Sequence, residues 1–333
     1  MKPALFDHVA PASIADAVAA LAGHPGAMVI AGGQSLLPAM NFRLATPPAL
    51  IDISRIAELK TLTVTDRAVV VGAMVRHRTV ELDPAVARAQ PLLAAALAHV
   101  AHVPIRNRGT VVGSLCHADA SAEMPLLLLL TDGHMVVAGP TGRRTIAAAD
   151  FFRFHLTTSR AADEIALEAH FPVLPAGAGW AFEEVARRSG DFALASVGVI
   201  VERAADGTAR KVAIAAGGIA SRPIRLTEAE NALLGTTLND ETVELAAQAA
   251  AAAVTAPGDI HASAPCAASW WRRSSARPSP PHATAPPPPD RDRRRPPPAR
   301  TAPPPQPPGS DRPTEEDGPD DPDPKEDGPR NIR

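Results

Sequence analysis

The chain changes character between Ala264 and Pro265. Residues 265–333 hold 21 of the 36 prolines and contain no Leu, Val, Phe or Met; Ile332 is their one branched aliphatic side chain. Ordering a residue costs roughly 1–2 kcal/mol of conformational entropy, and a segment with so little apolar surface cannot offset that. A packed fold is therefore confined to residues 1–264. Residues 265–333 are expected to be a disordered Pro/Arg/Asp-rich tail, with polyproline-II character at Pro286–Pro289 and Pro296–Pro298. Their charge segregates as well, "RDRRR" preceding "TEEDGPDDPDPKEDG", which reads as solvated runs. So abrupt a swap to Pro, Arg and Ser is what a shifted reading frame in GC-rich DNA would produce, and a resequenced gene that reads through in frame would exclude that origin.

The remaining composition narrows the class. Hydrophobic residues make up 45% of the chain, enough for real cores, and the formal net charge of −3 leaves no electrostatic footprint for nucleic acid or anionic membrane. The longest obvious apolar run, Leu126 to Leu130, is flanked by Pro125 and Asp132, far short of the roughly 18 residues of a membrane span. Asp7, His8 and Asp16 interrupt the N-terminal stretch where a signal peptide needs an unbroken apolar core. A cytoplasmic protein is expected. Its two cysteines, Cys116 and Cys266, form no CxxC, and an iron–sulfur cluster needs four thiolates, so this chain alone builds none. His99 and His102 could share a helix face with His117 following, but the spacing is generic and no metal site is assigned.

Residues 1–150 alternate strand-like and helix-like patterns. "MKPALFDHVAPASIADAVAALAG" reads as a short strand and a helix capped by Ser13 and ended at Gly23. "AMVIAGG" and "AVVVGAM" are β-rich runs, and "PAVARAQPLLAAALAHVA" (84–101) has helical spacing from Pro84 onward. "EMPLLLLLTDGHMVVAGPTGRRTIAAADFF" reads as helix, turn at Asp132-Gly133, strand, turn, strand, and "DEIALEAHFPVLP" as an alternating strand. From Gly179 the pattern is strand, strand, helix, helix, ending in "TEAENALLG" and "DETVELAAQAAAAAV", an α+β arrangement.

Two loops carry the chemistry. In "VIAGGQSLLP" an apolar run meets Gly32-Gly33, then Gln34 and Ser35. Glycines let a ligand approach without a Cβ in the way, and a helix-start Ser adds a donor, which is how backbone nests and helix N-termini hold phosphate. One Gly-Gly is by itself more often a turn. It is neither a Walker A, with no GK[ST], nor a G-x-G-x-x-G fingerprint. "IRNRGTVVGSLCHADASAEMP" supplies a second such loop, with Gly109, Thr110, Gly113 and Ser114, Arg106 and Arg108 just before, and Glu123 just after. Two anion-friendly loops with a carboxylate nearby suit a diphosphate held from both sides beside a polyol chain, the shape of FAD.

"AGGQSLLPAMNFRLATPPALIDI", "IRNRGTVVGSLCHADASAEMP" and "FEEVARRSGDFALASVGV" together resemble the FAD-binding medium subunit of molybdenum hydroxylases, the carbon monoxide dehydrogenase flavoprotein and xanthine dehydrogenase family. The likeness runs over residues 1 to about 264. It implies an α+β protein with a two-lobed FAD-binding domain of the vanillyl-alcohol oxidase type at 1–175. A small α+β C-terminal domain would follow at 177–264, lacking its last helix where "DIHASA" gives way to the tail. It implies that Ala31, Gly32, Gly33, Gln34 and Ser35, with Thr110, Val111, Val112, Gly113 and Ser114, hold the FAD diphosphate, and that Glu123 touches the ribityl region. It implies no catalytic acid or base on this chain. A large molybdopterin subunit would hydroxylate substrate, a small subunit would carry two [2Fe–2S] clusters, and electrons would pass through this FAD to an external acceptor. The assembly would be a dimer of heterotrimers. The missing thiolates agree with clusters held elsewhere.

One departure bears on the site. The family's second loop reads Thr-Ile/Val-Gly-Gly, and Val112 stands for the first of those glycines, where a Cβ could crowd the diphosphate or forbid a positive φ. Two other readings of the chain are a self-contained FAD-dependent oxidoreductase of the same fold class, which would be reduced by a small organic substrate alone, and a colourless interaction protein whose proline tail binds SH3-like domains.

Overall fold

The computed structural model describes residues 2–254, all within one compact unit. The expectations for the tail and for a missing last helix lie outside these residues.

The chain opens with β1 (Asp7–Val9), α1 (Ile14–Gly23), β2 (Met28–Ile30), α2 (Leu36–Asn41) and β3 (Ala49–Asp52). Ser13 caps α1, its Oγ accepting the Asp16 N–H at 3.1 Å. β3 lies between β1 and β2 and runs parallel to both. Its Ala49, Leu50 and Ile51 are all buried, as a parallel strand covered on both faces requires.

β4 (Leu62–Val64) and β5 (Ala68–Gly72) begin a second sheet. A run of helices follows: α3 (His77–Leu82), α4 (Pro84–Ala89), α5 (Pro91–Leu97), α6 (Val103–Arg106), α7 (Val111–His117) and α8 (Glu123–Leu130). Then come β6 (His134–Gly139), β7 (Gly142–Ala147), α9 (Ala148–Phe151), the small hairpin β8 (Phe152–Phe154) and β9 (Thr157–Thr158), and β10 (Ile165–Pro172). The second sheet is antiparallel throughout, in the order β4-β5-β10-β6-β7.

The helical stretch expected over 84–101 is two helices. Pro91 has no N–H to donate and pushes Gln90 out of the helical region, to φ −145° and ψ 75°. Gln90 then spends its side chain on the Pro172 carbonyl at 2.7 Å, tying the break to the second sheet. His99 lies in the turn after α5 and His102 is the N-cap of α6, so the two share no helix.

β11 (Gly179–Val185), β12 (Ala195–Arg203), β13 (Ala209–Gly217) and β14 (Ile224–Arg225) form a third, antiparallel sheet, followed by α10 (Thr227–Leu233) and α11 (Asp240–Ala253). Each of the two strands expected here is a pair, broken by turns in which Gly190 and Gly218 take positive φ. Side chains alternate across the sheet. Val197, Val212, Ile214 and Ala216 pack toward α10 and α11. Ile200, Ala213 and Ala215 join the larger core with α8.

α8 explains why its sequence is almost uniform leucine. A helix apolar on every side must be covered on every side, and all eight of its residues are buried. Small residues of the third sheet make the approach possible. A Cβ on Gly198 would lie 2.5 Å from Leu130 Cδ2. Arg225 braces the same contact, reaching Asp132 and Glu230 at 2.7 Å each. The fold is α+β, and among the described residues no helix is long and apolar enough to cross a membrane.

Candidate functional site

The two glycine loops meet. A Cβ on Gly32 would stand 2.5 Å from the Arg108 carbonyl oxygen and 2.8 Å from Gly109 Cα. Backbone therefore lies on backbone, and Gly32 is required by the neighbouring loop. Gly33 has φ +73°, and a Cβ there would press on Leu37 Cδ1 at 2.9 Å. Its glycine answers a left-handed turn. Both glycines therefore have a steric reason within the fold itself, beside any room they leave for a ligand.

What the junction offers a ligand is helix ends. In α2 the first intrahelical bond is Leu37 N–H to Gly33 O at 3.1 Å, so the N–H groups of Gln34, Ser35 and Leu36 precede it as donors. Ser35 occupies the N-cap without a side-chain capping bond, and its hydroxyl stays exposed. Gln34 Nε2 donates to the Gly32 carbonyl at 3.3 Å. In α7 Thr110 is the N-cap, its Oγ1 accepting the Gly113 N–H at 3.1 Å. The Val111 N–H goes to the Val75 carbonyl and the Ser114 N–H to the Thr110 carbonyl. That leaves the Val112 N–H as the donor of this first turn without a partner among the described residues.

Exposure divides the expected contacts. Ala31, Gly32, Gly33, Gln34, Gly113 and Ser114 are half-buried and Ser35 is exposed. Thr110, Val111 and Val112 are buried, and both valines belong to the core around α8. Val112 is helical and is absent from the positive-φ residues. In this structure the Val112 side chain packs in the core and its backbone is right-handed, leaving its N–H to face a ligand.

Arg106 lies at the base of this loop. It is buried and grips Glu81 with two bonds, Nε to Oε2 at 2.9 Å and Nη2 to Oε1 at 3.3 Å, and gives Nη1 to the carbonyls of Val100 and Ala101. It is a clamp on the loop's base. Arg108 is the exposed guanidinium, and Arg76 holds the second loop by donating to the Arg108 carbonyl. Beneath Gly109 lies His77, 5% exposed, with neither ring nitrogen hydrogen-bonded. Burial, with Arg106 nearby, pushes it down to about 4, so the ring is neutral at pH 7. Cys116 is no nucleophile, since burial pushes its thiol up to about 11.

Glu123 opens α8 and is 7% exposed. Burial, then the Glu184 carboxylate, push it up to about 8. Glu184, on β11, is itself pushed up to about 7 by burial, and its Oε2 has no hydrogen-bond partner. An unpaired buried polar group costs roughly 1–3 kcal/mol, more when charged. The residues present therefore fit a ligand with an anionic part at helix ends and a hydroxyl-rich part beside carboxyl groups. Sequence reasoning found Glu123 but missed Glu184 and His77. Neither carries a local signal, because burial and the lack of a partner arise only on folding.

Comparison with known proteins identifies the family. Residues 4–174 match the FAD binding domain in molybdopterin dehydrogenase, and residues 180–266 match the CO dehydrogenase flavoprotein C-terminal domain. The chain is 44% identical over 264 residues to the nicotine 6-hydroxylase medium subunit of Paenarthrobacter nicotinovorans, covering 79% of this chain and 92% of the relative. It is 36% identical over 266 residues to the carbon monoxide dehydrogenase medium chain of Hydrogenophaga pseudoflava, covering 79% and 92%. Among solved structures, quinoline 2-oxidoreductase from Pseudomonas putida 86 matches with a TM-score of 0.79 at 38% identity, over 83% of this chain and 96% of that one. Carbon monoxide dehydrogenase from Hydrogenophaga pseudoflava matches with a TM-score of 0.80 at 37% identity, over the same shares. The chain belongs to the FAD-binding medium subunits of the molybdenum hydroxylases, a family of oxidoreductase subunits.

Proposed function

We propose that this chain is the FAD-carrying electron-transfer subunit of a molybdenum hydroxylase. When bound, FAD supplies a carrier that takes electrons from the [2Fe–2S] clusters of a small partner subunit and gives them to an external acceptor. A large subunit with molybdopterin would perform the hydroxylation, in a dimer of heterotrimers located in the cytoplasm. The observation that carries the reading is the contact of Gly32 with Arg108 and Gly109, which brings the donor ends of α2 and α7 to one place.

On this reading a two-lobed domain of the vanillyl-alcohol oxidase type spans residues 1–175, and a C-terminal domain begins near residue 177. Ala31 to Ser35 and Thr110 to Ser114 hold the diphosphate, the first loop through the N–H groups ahead of Leu37 and the Ser35 hydroxyl, the second through the Val112 N–H and the Ser114 hydroxyl. The side chains of Val111 and Val112 anchor the helix end in the core. Glu123 accepts hydrogen bonds from the ribityl chain. None of these groups moves a proton for the hydroxylation; they fix the cofactor's position.

The test is to purify the chain alone and with its co-purifying subunits, then follow the visible flavin bands anaerobically. The lone chain is expected to carry oxidised FAD that organic substrates do not bleach. Adding reduced iron–sulfur subunit is expected to bleach it. Bleaching of the lone chain by an organic substrate would establish a self-contained oxidoreductase instead, and a colourless chain would remove the flavin role.

A further inference from the structure

Glu184 and Ser196 are directly opposite on β11 and β12, so their side chains share a face of the third sheet. That face is the one packed on α8. Gly198, two residues along β12, meets Leu130 and Leu126, and Phe182, opposite Gly198, joins the core around α8. Ser196 also reaches toward the segment leading into α8. A Cβ on Gly217, its cross-strand neighbour on β13, would touch Ser196 Oγ at 2.9 Å and the Ala120 carbonyl oxygen at 3.3 Å. Glu123, the first residue of α8, interacts electrostatically with Glu184. The Glu184 side chain is 3% exposed and Ser196 is 2% exposed, and Glu184 Oε2 and Ser196 Oγ find no hydrogen-bond partner.

A purely structural contact would fill this face with carbon, as the neighbouring Ala213 and Ala215 do. Cationic support is sparse among the described residues. Arg106 is bonded to Glu81 and reaches Glu123 only through its charge, and the part-exposed His99, shifted toward its neutral form, has its Nδ1 3.8 Å from Glu184 Oε1. Two acidic groups exclude an anion. A polyol satisfies all three partners at once, since each hydroxyl both donates and accepts, matching a carboxylate, a carboxylic acid or a serine hydroxyl.

We propose that Glu184 and Ser196 complete, with Glu123, a polyol pocket that binds the ribityl hydroxyls of the flavin, so the C-terminal part of the chain takes part in holding the cofactor. The inference rests on the flavin-subunit reading above. It assigns these two side chains to ligand binding, and it predicts that they oppose stability in the apoprotein.

The experiment titrates the full apo chain, and its Glu184→Gln, Glu184→Leu and Ser196→Ala variants, with FAD and with an FAD analogue whose ribityl is replaced by a hydroxyl-free alkyl linker. Thermal melts of each apoprotein run alongside. FAD affinity is expected to fall about tenfold in Glu184→Leu and about threefold in Ser196→Ala. The analogue is expected to bind wild type and variants alike, and apo Tm to stay level or rise. Glu184→Gln keeps the shape if the leucine variant fails to fold, and is expected to weaken FAD by a smaller factor. Variants that bind FAD as tightly as wild type, or that discriminate FAD from the analogue as wild type does, would overturn the pocket alone. A wild-type chain that binds no FAD would overturn the flavin-subunit reading instead.

Discussion

The loop junction and the carboxyl pocket solve opposite problems. At the junction, Gly32 lets one backbone rest on another, and nothing but hydrogen could stand between them. In the pocket, Glu184 and Ser196 keep polar atoms unpaired inside the protein, beside the buried carboxyl of Glu123. The first is a steric constraint that stabilises the fold with or without ligand. The second costs stability until a ligand arrives. The difference separates the part of a cofactor site that is built from the part that is held in reserve.

The sharpest way to break the contrast is Gly32→Val. The added Cβ meets the Arg108 carbonyl and Gly109 Cα, both backbone, so the loops must part. A loss of about 3 kcal/mol or more is expected, on the order of 10 °C in Tm, together with loss of bound flavin. Gly33→Val should cost less. Its clash is with the flexible end of Leu37, and the φ of +73° adds strain of about 1–3 kcal/mol. Flavin absorbance and melts on both variants test the order. A Gly32→Val protein as stable and as yellow as wild type would mean that the contact is not needed.

Titration separates the two regions next. The pocket's Glu123 is raised to about 8, so the folded apoprotein keeps a proton that the unfolded chain releases near its ordinary carboxylate range. Its stability contribution is full at low pH and is lost as pH rises through about 8. The junction's His77 is lowered to about 4, so the unfolded chain binds the proton first. Stability is therefore lost as pH falls from the usual histidine range toward 4. Glu184, raised to about 7, acts in the same direction as Glu123, and together they outweigh His77 where the windows overlap, so apo Tm should fall by several degrees along the alkaline limb as pH rises toward 8, with Glu123→Gln making that limb shallower. An unchanged alkaline limb in that variant would detach it from the pocket.

The same contrast accounts for what could be read in advance. Gly32 and Gly33 were visible because only one residue type tolerates a touching backbone or a left-handed turn, and steric demands leave a mark at the residue itself. Ser13 was readable as a helix start for a related reason, since a cap acts within three residues of its own position. The reason for Gly32 was not readable, because Arg108 and Gly109 reach it only through the tertiary fold. Gln90–Pro91 hid a helix break inside an Ala/Leu-rich pattern whose periodicity survives the interruption. Glu184 was invisible for the opposite cause. A glutamate in an alternating strand reads as solvated, and only the packing of β11 against α5 and the core buries it.

Val112 gives the smallest effect and the finest test. The family pattern puts glycine there, and a side chain in its place could crowd the diphosphate or forbid a positive φ. In the structure it is 2% exposed and packs in the core around α8, on the far side of a helix turn whose N–H remains a donor. Val112→Gly should therefore leave FAD affinity within about twofold, because the backbone donor is kept. It should lower Tm, since glycine costs about 1 kcal/mol in a helix and deleting a buried valine side chain costs roughly 1.5–3 kcal/mol more. Flavin titration and thermal melts on one preparation decide it. A severalfold gain in FAD affinity would mean that the valine obstructs the ligand after all and that the second loop is not yet in its binding conformation. A fall in Tm without a change in affinity would assign Val112 to the built half of the site, where its methyl groups anchor the helix end whose N–H serves the ligand.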